Sequence, residues 1–382
     1  LRQQVLEARG WTIHRVWSTD WFKDRQGQIH RLLSLIEEAR QRAQEELTAE
    51  QEARGTFIFQ NNRATYLSFA AGKYKTVRRA GRIPVSVYVL LERPNMDQYL
   101  ERVAQLLHVL EREFGPYRFK DFALVEIPRE LARKAGFNAA MLQGFAYVNS
   151  NAFNVPPSRF NALVGWYGHE FSHSWWPHTI WISREGQGGW AIEEALAEYG
   201  GLRAVETIAG AAPAEEYRRK GYPPDPIYSA NEYFKLVGAG IDYELGNLPR
   251  SVEAHNIGYN KGFLVWNMLS LEIGREKFQR ILRDLTRRYA FQHVSLKEFW
   301  RVIEKRSGRD LGWFYKQWFE RRGAPEFQLD WKQEGGKVVA LGVASARRID
   351  SRCISKPLCS ARVRSSRIWP WPRRMPVMWR QF

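Results

Sequence analysis

The chain has 382 residues, 44% hydrophobic and 14% aromatic, with a formal net charge of +17 at pH 7. That length is enough for a sizeable buried core and predicts two or three globular domains. No run of about 18 apolar residues occurs, which excludes a membrane-spanning helix. The only cysteines, Cys353 and Cys359, sit near the C-terminus, so the body holds neither a disulfide framework nor Cys-ligated zinc.

Residues 1 to 26 are mixed and aromatic, with Trp11, Trp17, Trp21 and Phe22. They read as the end of a domain whose start is missing. A signal-like segment is absent from this opening, and the compartment stays open, an exported or membrane-attached full-length protein being compatible. From about Gln28 to Arg54 the pattern turns helical, with Leu32, Leu33, Leu35, Ile36 and Ala39 on one face and a largely polar second half. This predicts a solvated surface helix or hairpin, with a partner-binding helix as the alternative. Strand patterns follow at Thr56–Phe59, Ala64–Phe69 and Val85–Leu91, separated by Gly and Pro.

Asn95 to Phe114 predicts an amphipathic helix through Tyr99, Val103, Leu106, Leu107, Leu110 and Phe114, stopped by Gly115 and Pro116. Phe122–Ile127 and Gly144–Val148 read as strands. From Pro156 helices dominate, and Ser158 is placed to cap the first of them, which Pro177 ends. Further helices are predicted at Trp190–Ala209, His255–Ile273, Glu276–Tyr289 and Leu296–Arg306, with a short last one at Leu311–Arg321. After Trp331 the chain turns to Arg, Ser, Pro and Trp with no strand alternation. Much of the basic excess lies there, in Arg347, Arg348, Arg352, Arg362, Arg364, Arg367, Arg373, Arg374 and Arg380. A nucleic-acid arm with interleaved Trp is one reading. An aberrant, frame-shifted or mis-joined tail over 331–382 is the preferred one, and no nucleic-acid partner is expected.

The chemistry concentrates between Trp166 and Tyr199. His169, Glu170 and His173 spell HExxH, and on a helix positions i and i+4 project from one face, so both imidazoles can bind one metal ion. Two neutral imidazoles and a carboxylate leave a Zn²⁺ site with net positive charge and one open position. Water taken there has its pKa lowered to about 7, and Glu170 is placed to accept its proton and pass it to a leaving amine. The carboxylate some way downstream is Glu193 or Glu194, and periodicity does not decide between them. His178 points elsewhere on the helix and reads as structural.

Three motifs resemble the aminopeptidase N and leukotriene hydrolase-like family of gluzincin zinc metallopeptidases. HEFSHSWW (His169–Trp176) is similar to the family's HExxHxWW or HExxHxWF. Glu194–Tyr199, EALAEY, looks like the family's EGFAxY, whose first Glu is the third zinc ligand. Tyr259–Gly262, YNKG, looks like YxKG, whose Tyr hydrogen-bonds the tetrahedral intermediate. The resemblance implies one zinc per chain on His169, His173 and Glu194, with Glu170 as general base and Tyr259 as oxyanion stabiliser. Glu194 lies two residues further from the second His than is usual, but the EALAEY register favours it over Glu193. Glu198, one turn on, either orients His169 from behind or is a solvated helix charge.

Family aminopeptidases also carry a GAMEN-like segment whose Glu pairs with the substrate's free amine. The matching stretch is taken as Gly144, Phe145, Ala146, Tyr147 and Val148. Tyr147 stands where Glu would be and brings no charge at neutral pH. The backbone of that strand remains suited to an extended peptide, while the preference for a free N-terminus is put in doubt.

The fold expected from the resemblance is α+β: a thermolysin-like catalytic domain over 64–330, a mixed β/α lobe followed by a helical lobe with the active site between them. Residues 1–63 would be the remnant of an N-terminal β-domain with a helical insertion. The activity implied is zinc-dependent hydrolysis of peptide or protein substrates, aminopeptidase-like. The alternatives are a weak or dead relative serving as an interaction scaffold, and an endopeptidase indifferent to the N-terminus. Oligomeric state is left open.

Overall fold

Residues 24–46, 68, 70–183, 188–221, 228–249, 251–325, 327–334 and 337–345 are described by a computed structural model. The chain divides into two units, residues 1–76 with 88–92 and residues 77–87 with 93–382. The first contains helix α1 (Arg25–Glu46), on which Leu33 and Ile36 are exposed, as a largely solvated helix requires. The strands expected at 56–59 and 64–69 lie, apart from Ser68, outside the described residues, as do Trp11, Trp17 and Trp21.

The β lobe is built by strands β1 (Lys75–Arg79), β2 (Val85–Val89), β3 (Phe122–Ile127), β4 (Ala139–Leu142) and β5 (Phe145–Asn149), with helices α2 (Met96–Phe114) and α3 (Arg129–Ala135) between them. They form a five-stranded sheet in the order β1-β2-β3-β5-β4. β3 and β5 run parallel, and β4 closes the sheet antiparallel to β5. The apolar stripe of α2 explains its place: Tyr99, Val103, Leu106, Leu107, Leu110 and Phe114 are each 0% exposed. Burial of such side chains contributes about 1.5–3 kcal/mol apiece. The helix stops at Gly115, whose φ of 103° suits a residue without Cβ.

The helical lobe follows in chain order: α4 (Val164–Ser172), β6 (Trp181–Ile182), α5 (Trp190–Ala209), α6 (Ala211–Lys220), α7 (Ala230–Gly238), α8 (Val252–Ile273), α9 (Arg275–Arg288), β7 (His293–Val294), α10 (Leu296–Ser307) and α11 (Gly312–Trp318). The β/α lobe followed by a helical lobe is the α+β architecture expected. Ser158, however, does not cap the HExxH helix. Residues Pro157–Leu163 already turn as a 3₁₀ segment that runs into α4, with no side-chain cap at either start, because Pro156 and Pro157 set the turn before Ser158 is reached. Serine caps sit instead on α7, α8 and α10, at Ser229, Ser251 and Ser295. No helix among the described residues is long and apolar enough to cross a membrane.

A second correction concerns the expected tail. β8 (Phe327–Glu334) and β9 (Lys337–Ser345) pair as an antiparallel hairpin across the boundary placed at residue 331. β9 reads KVVALGVAS, an apolar run rather than an alternation, and so escaped a test for period two. Residues 346–382 lie outside the described part.

α8 carries YNKG and is fixed by its lysine. Lys261, 1% exposed, donates from Nζ to Asp242 Oδ2 at 3.1 Å, to the Tyr243 carbonyl at 2.9 Å and to the Arg321 carbonyl at 2.9 Å. Asp242 Oδ2 also accepts from Tyr233 Oη at 3.3 Å and from the Gly323 N–H. Gly262 lies so close to Ala195 of α5 that a Cβ would collide with it. Lys261→Met keeps the volume and strands a buried carboxylate. It is expected to cost about 3–5 kcal/mol, read as a lowered urea midpoint at unchanged slope. A loss under about 1 kcal/mol, the range of a surface pair, would show that this knot is not structural.

Candidate metal centre

Helix α4 lies against α5 with almost no side chain between them. A Cβ on Gly168 would come within 2.9 Å of Ala204 Cβ and 3.0 Å of Gly201 Cα, and one on Gly201 within 2.7 Å of the Gly165 carbonyl. Gly165 likewise has room only for the ring of Tyr217. Each mid-helix glycine costs up to about 1 kcal/mol against alanine, and here they permit backbone approach. That approach sets Glu194 and Glu198 of α5, one turn apart, opposite His169 and His173.

Three atoms then converge. His169 Nε2 and His173 Nε2 are 3.2 Å apart. Glu194 Oε2 is 3.6 Å from the first and 3.4 Å from the second. Zinc bonds of about 2.0–2.2 Å in a tetrahedron put ligand atoms about 3.3–3.6 Å apart, so this triangle and its donor types fit one zinc ion. His169, His173 and Glu194 are the group of possible metal ligands found among the described residues, and Glu193 is not in it. The other carboxylate oxygen, Glu194 Oε1, lies 3.5 Å from His255 Nε2 on α8. The carboxylate is thus divided, one oxygen toward the imidazoles and one toward His255.

Both imidazoles are held from behind. His173 Nδ1 donates to the Trp176 carbonyl at 2.7 Å. His169 Nδ1 faces Glu198 Oε2 at 2.9 Å, and Tyr217 Oη of α6 donates to Glu198 Oε1 at 2.5 Å. Glu198 is 0% exposed, which removes the reading as a solvated charge. With Nδ1 committed, each Nε2 faces the centre with its lone pair. Burial pushes the Glu170 carboxyl above the usual carboxylate range, and Glu194 and Glu198 add to that. Burial alone would pull the His173 imidazole down, but Glu194 lifts it to about 9. Burial also works to raise the Glu194 carboxyl, yet the charge and hydrogen bond of His173 hold it well below the ordinary range. The pocket therefore favours positive charge beside Glu194.

Tyr259 lies with its ring 5.5 Å from that of His169 and 4.8 Å from that of His255. Burial, then Glu194, raises its phenol well above the usual value, so it is a neutral donor. The structure brings Tyr259 to the ligands from a helix well downstream of all three in sequence. It also brings His255 and Tyr228, which the sequence reading missed. His255 could have been found from its i, i+4 spacing to Tyr259 on one helix face; no local signal marks Tyr228.

The expected substrate strand is corrected. Gly144 sits in the turn into β5 with φ 87°, and Phe145, Ala146 and Tyr147 pair with Ala123, Leu124 and Val125 of β3 on one side and with Leu142, Met141 and Ala140 of β4 on the other. Both edges of β5 are occupied, so it cannot add a peptide strand. Tyr147 is buried beside Phe145. The sheet edge next to α4 is β4. The Asn138 carbonyl accepts from the Asn149 N–H of β5 at 3.0 Å, so by alternation Ala139 and Met141 turn their backbone groups outward. His178 Nε2 donates to the Met141 carbonyl at 3.0 Å. Burial pulls this imidazole down to about 4, and its expected structural role becomes that of holding the edge strand.

The chain is similar in sequence and fold to known peptidases. The Peptidase family M1 domain matches residues 244–318. Aminopeptidase M1-B of Oryza sativa subsp. japonica is 26% identical over 169 residues, 42% of this chain and 17% of that protein. Glutamyl aminopeptidase of Mus musculus is 21% identical over 73% of this chain and 30% of its own length. Aminopeptidase N of Streptomyces lividans is 23% identical over 65% of this chain and 29% of its own. An M1 zinc metallopeptidase from Deinococcus radiodurans superposes with a TM-score of 0.51 at 14% identity, over 66% of this chain and 54% of that one. The chain thus spans less than a third of the length of these curated relatives. The resemblance read from the motifs and the α+β fold are both borne out. Glu194→Gln is expected to lose zinc on dialysis that leaves the parent loaded, whereas Glu193→Gln retains it. Elemental analysis showing the reverse order would move the third ligand to Glu193.

Proposed function

We propose that this chain is the catalytic part of a zinc-dependent peptidase. The observation that carries the reading is the triangle of His169 Nε2, His173 Nε2 and Glu194 Oε2, with edges of 3.2–3.6 Å, directly beside Glu170. A zinc ion held there supplies Lewis-acid polarisation of the scissile carbonyl and makes water acidic near neutral pH. The remaining work falls to the protein. Glu170 takes the water proton on its carboxylate and returns it to the leaving amine. The Tyr259 O–H donates to the carbonyl oxygen as negative charge develops there, a contact typically worth about 3–4 kcal/mol in such sites. The outward backbone groups of β4 not already taken by His178, those of Ala139 and the Met141 N–H, align an extended peptide by strand addition. The intact set of ligands and base speaks against a dead scaffold.

A second reading, favoured by one observation, concerns the substrate's end. An exopeptidase that selects free N-termini needs a carboxylate near the ammonium, and none of residues 138–144, NAAMLQG, is acidic. This supports cleavage with little regard for a free N-terminus.

Two measurements check these readings. Glu170→Gln is expected to keep one zinc per chain while kcat falls by at least about a hundredfold; near-normal turnover would place the base elsewhere. Peptides with free and with acetylated N-termini are expected to differ in kcat/KM by less than about tenfold. A preference above about a hundredfold, nearly 3 kcal/mol, is the size of a specific charged contact and would restore a plain aminopeptidase.

A further inference from the structure

The strand that faces the metal centre is weakly supported by its own sheet. β4 has four residues, all half-buried, and stands at the end of the strand order with β5 beside it. Its side chains, two alanines, a methionine and a leucine, carry little preference for a strand. An edge with so little buried apolar surface belongs to the part of a fold that opens most easily. If it is to pair a peptide at one fixed place relative to the metal ligands, something outside the sheet must hold it.

His178 does so from the helical lobe. Its own backbone is pinned. The His178 N–H donates at 3.1 Å to the carbonyl of His173, the second imidazole of the metal centre. The next residue, Thr179, donates from its N–H to the Trp175 carbonyl at 3.3 Å and from Oγ1 to the Ser174 carbonyl at 2.7 Å. The Thr179 carbonyl accepts from the Phe291 N–H at 2.6 Å. Just beyond, Trp181 and Ile182 pair with His293 and Val294. His178 and Thr179 are 3% and 1% exposed. From this fixed backbone the His178 ring reaches out and donates from Nε2 to the Met141 carbonyl at 3.0 Å. Two hydrogen bonds and one side chain thus connect a metal ligand to the edge strand.

The same bond shapes the edge itself. Alternation turns the Met141 carbonyl away from β5, toward the side where an added strand would lie. With that carbonyl engaged by His178, the outward groups left are the N–H and carbonyl of Ala139 and the N–H of Met141. The imidazole stands where the next partner of the ladder would be, at the Leu142 end.

We propose that His178 is a positioning residue for the substrate: it ties β4 to the backbone of His173 and ends the peptide ladder at the Met141 N–H. The consequence for substrate rests on the peptidase reading; the tie itself does not.

His178→Leu removes the donor, whereas His178→Gln keeps an N–H donor on a side chain of similar reach. Strand pairing serves bound substrate and transition state alike, so its loss appears in KM. In the zinc-loaded enzyme acting on an extended peptide, His178→Leu is expected to raise KM about tenfold, with kcat changed less than about twofold and zinc content unchanged. His178→Gln is expected to recover most of that loss. An unchanged KM, a fall in kcat at constant KM, a loss of zinc, or equal losses in the two variants would each overturn the proposal. A second arm needs no turnover and reads the parent protein. Donation to a carbonyl requires the proton on Nε2, so with ¹⁵N-labelled histidine the His178 ring is expected to show a protonated Nε2. A ring protonated on Nδ1 alone would overturn the tie. If the parent protein hydrolyses no peptide, the reading of function fails, while the ring nitrogens still decide the role of His178.

Discussion

Everything at the centre depends on how closely α4 and α5 approach. HExxH supplies two imidazoles on one helix face, but a carboxylate reaches them only if a second helix lies nearly in backbone contact. Gly165 and Gly168 on α4, with Gly200 and Gly201 on α5, leave no room for a Cβ on either side. These glycines exchange helix propensity for distance. The gain is collected at Glu194 and Glu198, which meet His169 from two directions, Nε2 and Nδ1. Gly262 repeats the device where α8 crosses α5 at Ala195, and that crossing delivers Tyr259.

The electrostatics follow from the geometry. Three glutamates, Glu170, Glu194 and Glu198, are gathered around two imidazoles away from water. Burying carboxylates without partners is costly, so each needs a counter-charge or a donor. Tyr217 and His169 serve Glu198, and His255 serves one oxygen of Glu194. The other oxygen of Glu194 faces His169 and His173 across a gap of metal-ligand dimensions. Charge balance in the pocket is completed by a cation between those three residues, which is the demand a divalent ion meets.

Local spacing made much of this legible. His169 and His173 are four apart, and Glu194 and Glu198 are four apart, so two helix faces could be written down from the sequence. The apolar stripe of α2 and the run Phe122–Ile127 were equally plain, because their periods are short. What could not be read was whatever depends on which strand pairs with which. GFAYV looks more like a strand than AAML, whose small and flexible side chains carry weak β preference, so the substrate edge was assigned to β5. Only the pairing shows that β5 is interior and β4 is the edge. Tyr228 escaped for a related reason: its importance comes from contacts across the helical lobe, and it lies in no run that a periodicity test scores, whereas His255 stands four positions before Tyr259 on one helix and was overlooked. The second strand of the hairpin, 337–345, escaped because a near-continuous apolar run does not alternate; the first, FQLDWKQE, does alternate and was overlooked.

The lysine of YNKG gives the site a reach beyond its own residues. Lys261 lies two positions after Tyr259 and is bonded to the carbonyls of Tyr243 and Arg321, with Gly323 joined to the same knot through Asp242. A backbone segment sixty residues downstream is thus tied into the turn that aims the tyrosine. The place where the chain leaves the helical lobe is a mechanical handle on the Tyr259 side of the pocket. Whatever follows residue 325, in this chain or in a longer one, is attached directly to that handle.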